Sequence, residues 1–408
     1  NQSSLSDTSG NARHLLFAVY VPALIFAVSR GMLIPIMPLY VRSYDVSYGL
    51  VGIVLAAESA GTLLSDMPAG VLIRRIGHKV SMLLGAGCSI VGALALFWVE
   101  SLWFVVFFRI LSGVGAALLG ISRHAYIAEL VQVQRRGRSI AVLGGIGRLG
   151  SFIGPALGGV LGAAFGLRVA FIGFAALGLV GGVAVLFWVR GARGVVEDSV
   201  TEHRSLRQVF SAHRSVLLTA GSGQLCAQLI RAARLIIIPL YAADTLGLDV
   251  RSVGLIVSVS SAVDMLMFYP AGVIMDTWGR KYAYVPSFAI QAVGMLMIPA
   301  TESVWTLHLV AAWIGLGNGL GSGTMMTLGA DLAPERARGE FLGLWRFIGD
   351  GGSAASPLVV GAIAEAMGLV FAPLGVAAIG FSGATILGFL VPETLAKSRA
   401  KLSESDGG

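Results

Sequence analysis

"PAGVLIRRIGHK" occupies residues 68–79, and 202 positions later "PAGVIMDTWGRK" occupies 270–281. Each copy closes a long apolar run and carries glycine and lysine at matching offsets; Arg74 stands where the second copy has Asp276. The same shift pairs Ala128 with Ala330, Leu130 with Leu332, Arg136 with Arg338, Gly137 with Gly339, Gly147 with Gly349, Pro155 with Pro357 and Gly159 with Gly361. The chain is therefore read as two halves of one ancestry and one fold.

Those halves are built for a bilayer. Of 408 residues, 56% are hydrophobic and 12% charged, with a mean hydropathy of +0.81, whereas soluble domains run at roughly 45–50% apolar and about 25% charged. Apolar runs near or above the ~20 residues needed to cross as a helix recur at 14–41, 48–70, 80–99, 102–129, 139–165, 169–189, 215–243, 252–273, 282–300, 305–330, 341–367 and 369–391. An all-α polytopic membrane protein with twelve transmembrane helices is expected. A membrane barrel needs short alternating strands, which these unbroken runs are not. The first twelve residues are polar and uncharged apart from Asp7, so no cleavable signal is expected and the first span directs insertion.

Basic residues give the orientation. With a cytoplasmic N-terminus, that side receives Arg13, Arg74, Arg75, Lys79, Arg135, Arg136, Arg138, Arg190, Arg193, Arg204, Arg207, Arg214, Arg280, Lys281, Arg336, Arg338, Lys397, Arg399 and Lys401. The other side keeps Arg42, Arg168 and Arg251. This bias places both termini in the cytoplasm, most simply in a cell (inner or plasma) membrane. The net charge of +7 is then topology, with no nucleic-acid partner implied. Cys88 and Cys226 stand alone in separate spans and the histidines never cluster at ligand spacing, which supports neither disulfide nor metal, and no cofactor is expected. The division expected is 1–189 for the first six-helix half, 190–214 for a cytoplasmic linker and 215–408 for the second half with its tail.

Four motifs carry a resemblance. "GVLIRRIGHK" (Gly70, Arg74, Gly77, Lys79) and "GVIMDTWGRK" (Gly272, Asp276, Gly279, Arg280) resemble the Gly-x-x-x-Asp-x-x-Gly-Arg-Lys signature of the major facilitator superfamily. "RILSGVGAA", beginning at Arg109, is similar to its Arg-x-x-x-Gly-x-Gly pattern in helix 4, and "GSFIGPALGG", with Gly154 and Pro155, to the helix-5 stretch of its drug:proton antiporter branch. The resemblance implies two six-helix repeats about an axis along the membrane normal, with the substrate site near the midplane. It also implies that these loops and helix-5 glycines gate alternating access. Pro155 removes a backbone donor and lets helix 5 bend; plain close packing of small residues is the competing reading.

Ionisable groups inside spans are costly and tend to face a cavity. Here they are mostly basic: Arg30, Arg109, Arg123, Arg148, Arg231, Arg234 and Arg346, against Glu58, Asp66, Asp264 and Asp350, with Glu129, Asp331 and Glu365 nearer span ends. Gln224, Gln228 and Arg231 form one helical stripe, as do Arg346, Asp350, Ser353 and Pro357; an internal Arg346–Asp350 pair is the alternative for the latter. Under the repeat, Arg148 corresponds to Asp350 as an expected charge pair. Arg30 corresponds to Arg231 through the shared "PLY" at 38–40 and 239–241. Facing guanidiniums suit an anionic group between them, unless Glu58 and Asp264 neutralise them. Arg30, Arg148, Gln224, Gln228, Arg231, Arg234 and Asp350 are the substrate-binding candidates.

Glu58, then Asp264 and Asp66, are the candidates for carrying a proton. The function expected is secondary transport, proton-coupled efflux of small amphipathic organic molecules by a monomer whose partners are its substrate, protons and lipid. The alternative is transport of organic anions or anionic lipids, possible as symport; a non-transporting sensor is remote. No grouping of nucleophile, base or metal ligands is spaced for catalysis, so no enzyme is expected.

Where the resembled signature has Asp, a negative charge can meet a helix N-terminus or an arginine and lock the cytoplasmic side. This chain keeps that acid only at Asp276. Arg74→Asp is expected to move the conformational balance towards the outward-open state, measured by accessibility of single cysteines on the two faces.

Overall fold

The computed structural model describes residues 14–190 and 206–395. Residues 191–205 of the expected linker and 396–408 of the expected tail lie outside the described residues, as does the polar start of the chain. Among the described residues the only regular secondary structure is helical, the form in which a chain in hydrocarbon satisfies its own backbone groups.

The helices are α1 (Leu16–Arg42), α2 and α3 (48–76 and 78–95), α4 (Leu102–Leu130), α5 (Val133–Phe165), α6 (Val169–Trp188), α7 (Arg214–Thr245), α8 (Val250–Thr277), α9 (Lys281–Ala300), α10 (Val304–Leu320, resuming at Thr324–Leu332), α11 (Arg338–Met367) and α12 (Leu369–Leu390). A short helix, Leu206–Ala212, precedes α7. Eleven helices among the described residues are long and apolar enough to cross a membrane. The exception is α10, where the expected run 305–330 is two helices separated at Gly321–Gly323, with Gly323 at φ 74°. Between α2 and α3 the helical path is interrupted only at Gly77, whose φ of 82° a side chain would resist.

The described residues within 1–198, together with Asp249–Ser258, form one compact unit; those within 199–248 and 259–408 form another. Each is held by helices whose backbones touch where a side chain is missing. In the first unit, a Cβ on Gly113 of α4 would collide with the carbonyl oxygen of Glu58 on α2. In the second, a Cβ on Gly315 of α10 would collide with that of Ser260 on α8. Both pairs are related by the 202-residue offset, so the duplication is preserved at the level of single contacts.

"GSFIGPALGG" is a packing face on two sides. Gly150, Gly154 and Gly158 bring α5 against Ala27, Val28, Gly31 and Met32 of α1, while Gly159 meets Val250 and Gly254 at the start of α8. The amide of Ala156 lies 2.9 Å from the Ser258 hydroxyl. Small residues here allow the dense van der Waals contact that drives helix association in lipid.

Filling such a contact forces backbones apart, at a cost of about 1–3 kcal/mol or more. Gly113→Leu and Gly315→Leu are each expected to lower the melting temperature of the purified protein and broaden its size-exclusion peak. Gly120→Leu, where a Cβ meets nothing, is expected to leave both unchanged.

Candidate functional site

In the first unit, α1, α2 and α4 bring three charges to one point. The Glu58 carboxylate lies 3.0 Å from Arg30 Nη2 through Oε1 and 2.6 Å from Arg109 Nη1 through Oε2. Arg109 is buried, whereas the Arg30 side chain is 60% exposed. Contact at Gly113 sets the height of α4 on α2, and the Thr62 hydroxyl reinforces it, lying 3.0 Å from the Glu58 carbonyl oxygen and 3.2 Å from that of Gly113. One carboxylate thus answers two guanidiniums, leaving a net positive charge.

The second unit has a related cluster built differently. Asp264 Oδ2 accepts from Arg234 Nη2 at 3.3 Å and from Asn318 Nδ2 at 2.8 Å, and Arg234 Nη1 also reaches Ser260 Oγ at 3.2 Å. Ser260 is the positional counterpart of Glu58, and Asp264 that of Thr62. The acid has moved one helical turn along the repeat. Arg231 donates to the Gly321 carbonyl at the break in α10, lies 3.4 Å from Gln228 Oε1 and sits over the Phe288 ring. That carbonyl also accepts from the Thr324 amide at 3.3 Å and the Thr324 hydroxyl at 2.7 Å, so the guanidinium adds a third donor at the break.

The two repeated turns diverge as well. Arg280 bonds Asp276 at 2.8 Å, Asp331 at 3.2 Å and the Met275 carbonyl at 2.9 Å. Thr394 donates to Asp331 at 2.7 Å, and Glu393 accepts from the amides of Arg280 and Lys281, both at 2.9 Å, capping α9. Thus the α8–α9 turn, the end of α10 and the segment after α12 form one clamp. In the first unit His78 occupies Arg280's place and Glu129 that of Asp331, 3.0 Å apart. Tyr126 packs beside His78, its hydroxyl 3.0 Å from His14 Nε2 and 3.2 Å from the Arg190 amide. Arg74 is exposed and meets no acid among the described residues.

A family model described as Major Facilitator Superfamily matches residues 20–221 and again 220–407. The chain belongs to the major facilitator superfamily. Among curated relatives, Multidrug resistance protein MdtG of Serratia proteamaculans is 24% identical over 88% of this chain and 89% of its own length. Multidrug resistance protein 2 of Bacillus subtilis is 26% identical over 46% of this chain and 47% of that protein, so the chain spans about half the length of that relative. A solved D-xylose–proton symporter shares the fold with a TM-score of 0.73 at 16% identity, covering 94% of this chain and 98% of that one. A bacterial homologue of the human lysosomal transporter Spinster does so at 0.72 and 13%, covering 92% and 94%.

In this major facilitator transporter the sequence candidates fall into three groups. Glu58, Arg30 and Arg109 meet directly, and Asp264 and Arg234 meet directly. Gln224 is buried, packed against Gly349 of α11; Asp66 and Arg148 are half-buried in the first unit, and Asp350 in the second. Asp66 lies two turns beyond Glu58, about 12 Å along α2. Sequence reading missed the His78–Glu129 pair, the Asp331–Thr394–Glu393 clamp, and the parts of Ser260 and Asn318. The 202-residue offset pairs His78 with Arg280 and Glu129 with Asp331, so that part of the signal was present.

Burial would raise the Glu393 carboxyl, but the backbone N–H groups of Leu395, Lys281, Arg280 and Thr394 all point at it and hold it below the usual carboxylate range. A depressed value means its stabilisation is present above the unfolded-state pKa and is lost as pH falls through the folded one. Glu393→Gln is therefore expected to melt below the wild type at pH 7, with a gap that narrows as pH is taken below about 4, measured by thermal melts of purified protein across that range.

Proposed function

We propose that this transporter exports small amphipathic organic molecules by alternating access, driven by protons. It does so as a monomer in the cell membrane with both termini cytoplasmic. The carrying observation is Glu58 shared between Arg30 and Arg109: a single carboxylate whose protonation cancels the charge that holds α1 and α4 to α2. A group of that kind couples a proton to a change of helix contacts, since each guanidinium then loses its partner inside the membrane. Relatives named as multidrug resistance proteins support the efflux direction and the substrate type. Asp264, bound by Arg234 and Asn318, is the second proton candidate, and Asp66 the third.

The first unit's excess of arginine favours a second reading, transport of organic anions or anionic lipids. Protonation of Glu58 would release Arg30 towards an anionic group, so that proton and anion would travel together; a cation would instead compete with the proton for the carboxylate. The sign of proton movement thus separates the two.

The test is purified protein in proteoliposomes with an imposed pH gradient and an internal pH dye. Wild type is expected to move protons when amphipathic compounds are added, and Glu58→Gln to lower gradient-driven transport by about tenfold or more, the scale of one lost charged interaction. Unchanged gradient-driven transport in Glu58→Gln would sink the assignment.

A further inference from the structure

Beyond the contact at Gly113 a cleft of about 430 Å³ opens between α2 and α4, wholly within the first unit. That volume lies in the range of sites that hold small molecules. Its walls are Pro68, Ala69, Val71 and Leu72 of α2 and Val114 and Leu118 of α4, with Ser65 towards one end and Arg75 at the other. Ser65, Pro68, Leu72 and Arg75 follow one helical stripe, so the hydroxyl and the guanidinium are ten residues, about 15 Å, apart along α2. Arg30, Glu58 and Arg109 take no part in the cleft.

Arg75 is one of three basic residues around the α2–α3 turn, with Arg74 and Lys79. None of the three has a hydrogen bond or an ion pair among the described residues, and of the three only Arg75 lines the cleft. A cation at the end of a span is ordinarily solvated by water and headgroups; here one closes an apolar cleft. A free phosphate would have no use for the apolar wall, and an uncharged chain none for the arginine. An apolar wall inside the span followed by a guanidinium at its end is the order of an anionic phospholipid, acyl chain and then phosphate. We infer that the α2–α4 cleft holds such a lipid from the leaflet that meets the α2–α3 turn, with one acyl chain along the wall from Pro68 to Leu72 and its phosphate on Arg75. The guanidinium fork suits phosphate oxygens, and the neighbouring Arg74 and Lys79 add the field that draws anionic headgroups to a basic segment.

The test is native mass spectrometry of the full chain released from micelles doped with phosphatidylglycerol, with phosphatidylcholine of the same acyl chains, or with glycerol phosphate alone. Wild type is expected to retain phosphatidylglycerol over phosphatidylcholine by about tenfold, the scale of one charge-assisted hydrogen bond, and to retain no glycerol phosphate. Arg75→Gln should bring the two lipids to within about twofold of each other. Arg74→Gln removes the same charge from a residue that does not line the cleft and should keep the preference. Val71→Trp, at an exposed position on the wall, should fill the cleft and lower phosphatidylglycerol retention several-fold. Arg75→Lys keeps the charge without the fork; it should lose part of the preference and serves if the glutamine variant does not fold. A preference that survives Arg75→Gln, or retention that is unmoved by Val71→Trp, overturns the site. An equal loss in Arg74→Gln also overturns it and makes the turn a diffuse basic patch, and glycerol phosphate held as firmly as the lipid does so by making it a phosphate site without a chain.

Discussion

The Glu58 carbonyl fills the space that a side chain on Gly113 would need, and the chemistry of the first unit is arranged around that contact. Because α2 and α4 meet backbone to backbone there, Arg109 is carried one turn earlier on α4 to a point where it must find Glu58. With the Glu58 carboxylate committed to a buried cation, only its other oxygen is left for Arg30. A charge in hydrocarbon has few affordable positions, so the close approach of two glycine-notched helices selects the site as well as the packing.

The second unit repeats the notch at Gly315 and Ser260 but not the charges. Ser260 has a hydroxyl where the first unit has a carboxylate, and the acid appears instead at Asp264, with Asn318 supplying a neutral donor. Packing symmetry and chemical symmetry have parted. The turns show the same divergence: Arg280 joins two carboxylates, Asp276 and Asp331, whereas its counterpart His78 meets Glu129 alone. Duplicated scaffolds tolerate this because glycine positions fix helix distances while the side chains on top can change one at a time.

Much of the architecture was legible in the chain. The apolar runs, the repeat phrase and the four motifs identified twelve spans and their family, since length and hydropathy decide membrane helices with little help from tertiary contact. The break in α10 was not read, although "GLGSG" at 319–323 concentrates glycine where Arg231 of α7 joins Thr324 in donating to the Gly321 carbonyl. Of the site, Arg30 with Glu58 was foreseeable from two charges at mid-span. Arg109, singled out by the helix-4 motif, pairs with Glu58, a contact the motif does not announce. The clamp at Glu393 was invisible because its partners are backbone amides 112 and 113 residues away, which no side-chain pattern announces.

The one-turn displacement of the acid between Glu58 and Asp264 has a bearing on the ancestry of the fold. A chain made of two first halves would keep every helix-to-helix notch and would still be expected to pack, yet it would carry two arginine-rich clusters and lack both the Asp264–Asn318 pair and the Arg280 clamp. The halves have ceased to be interchangeable parts. Each has specialised on the surface of a shared scaffold, as paired genes do after duplication, here within a single polypeptide.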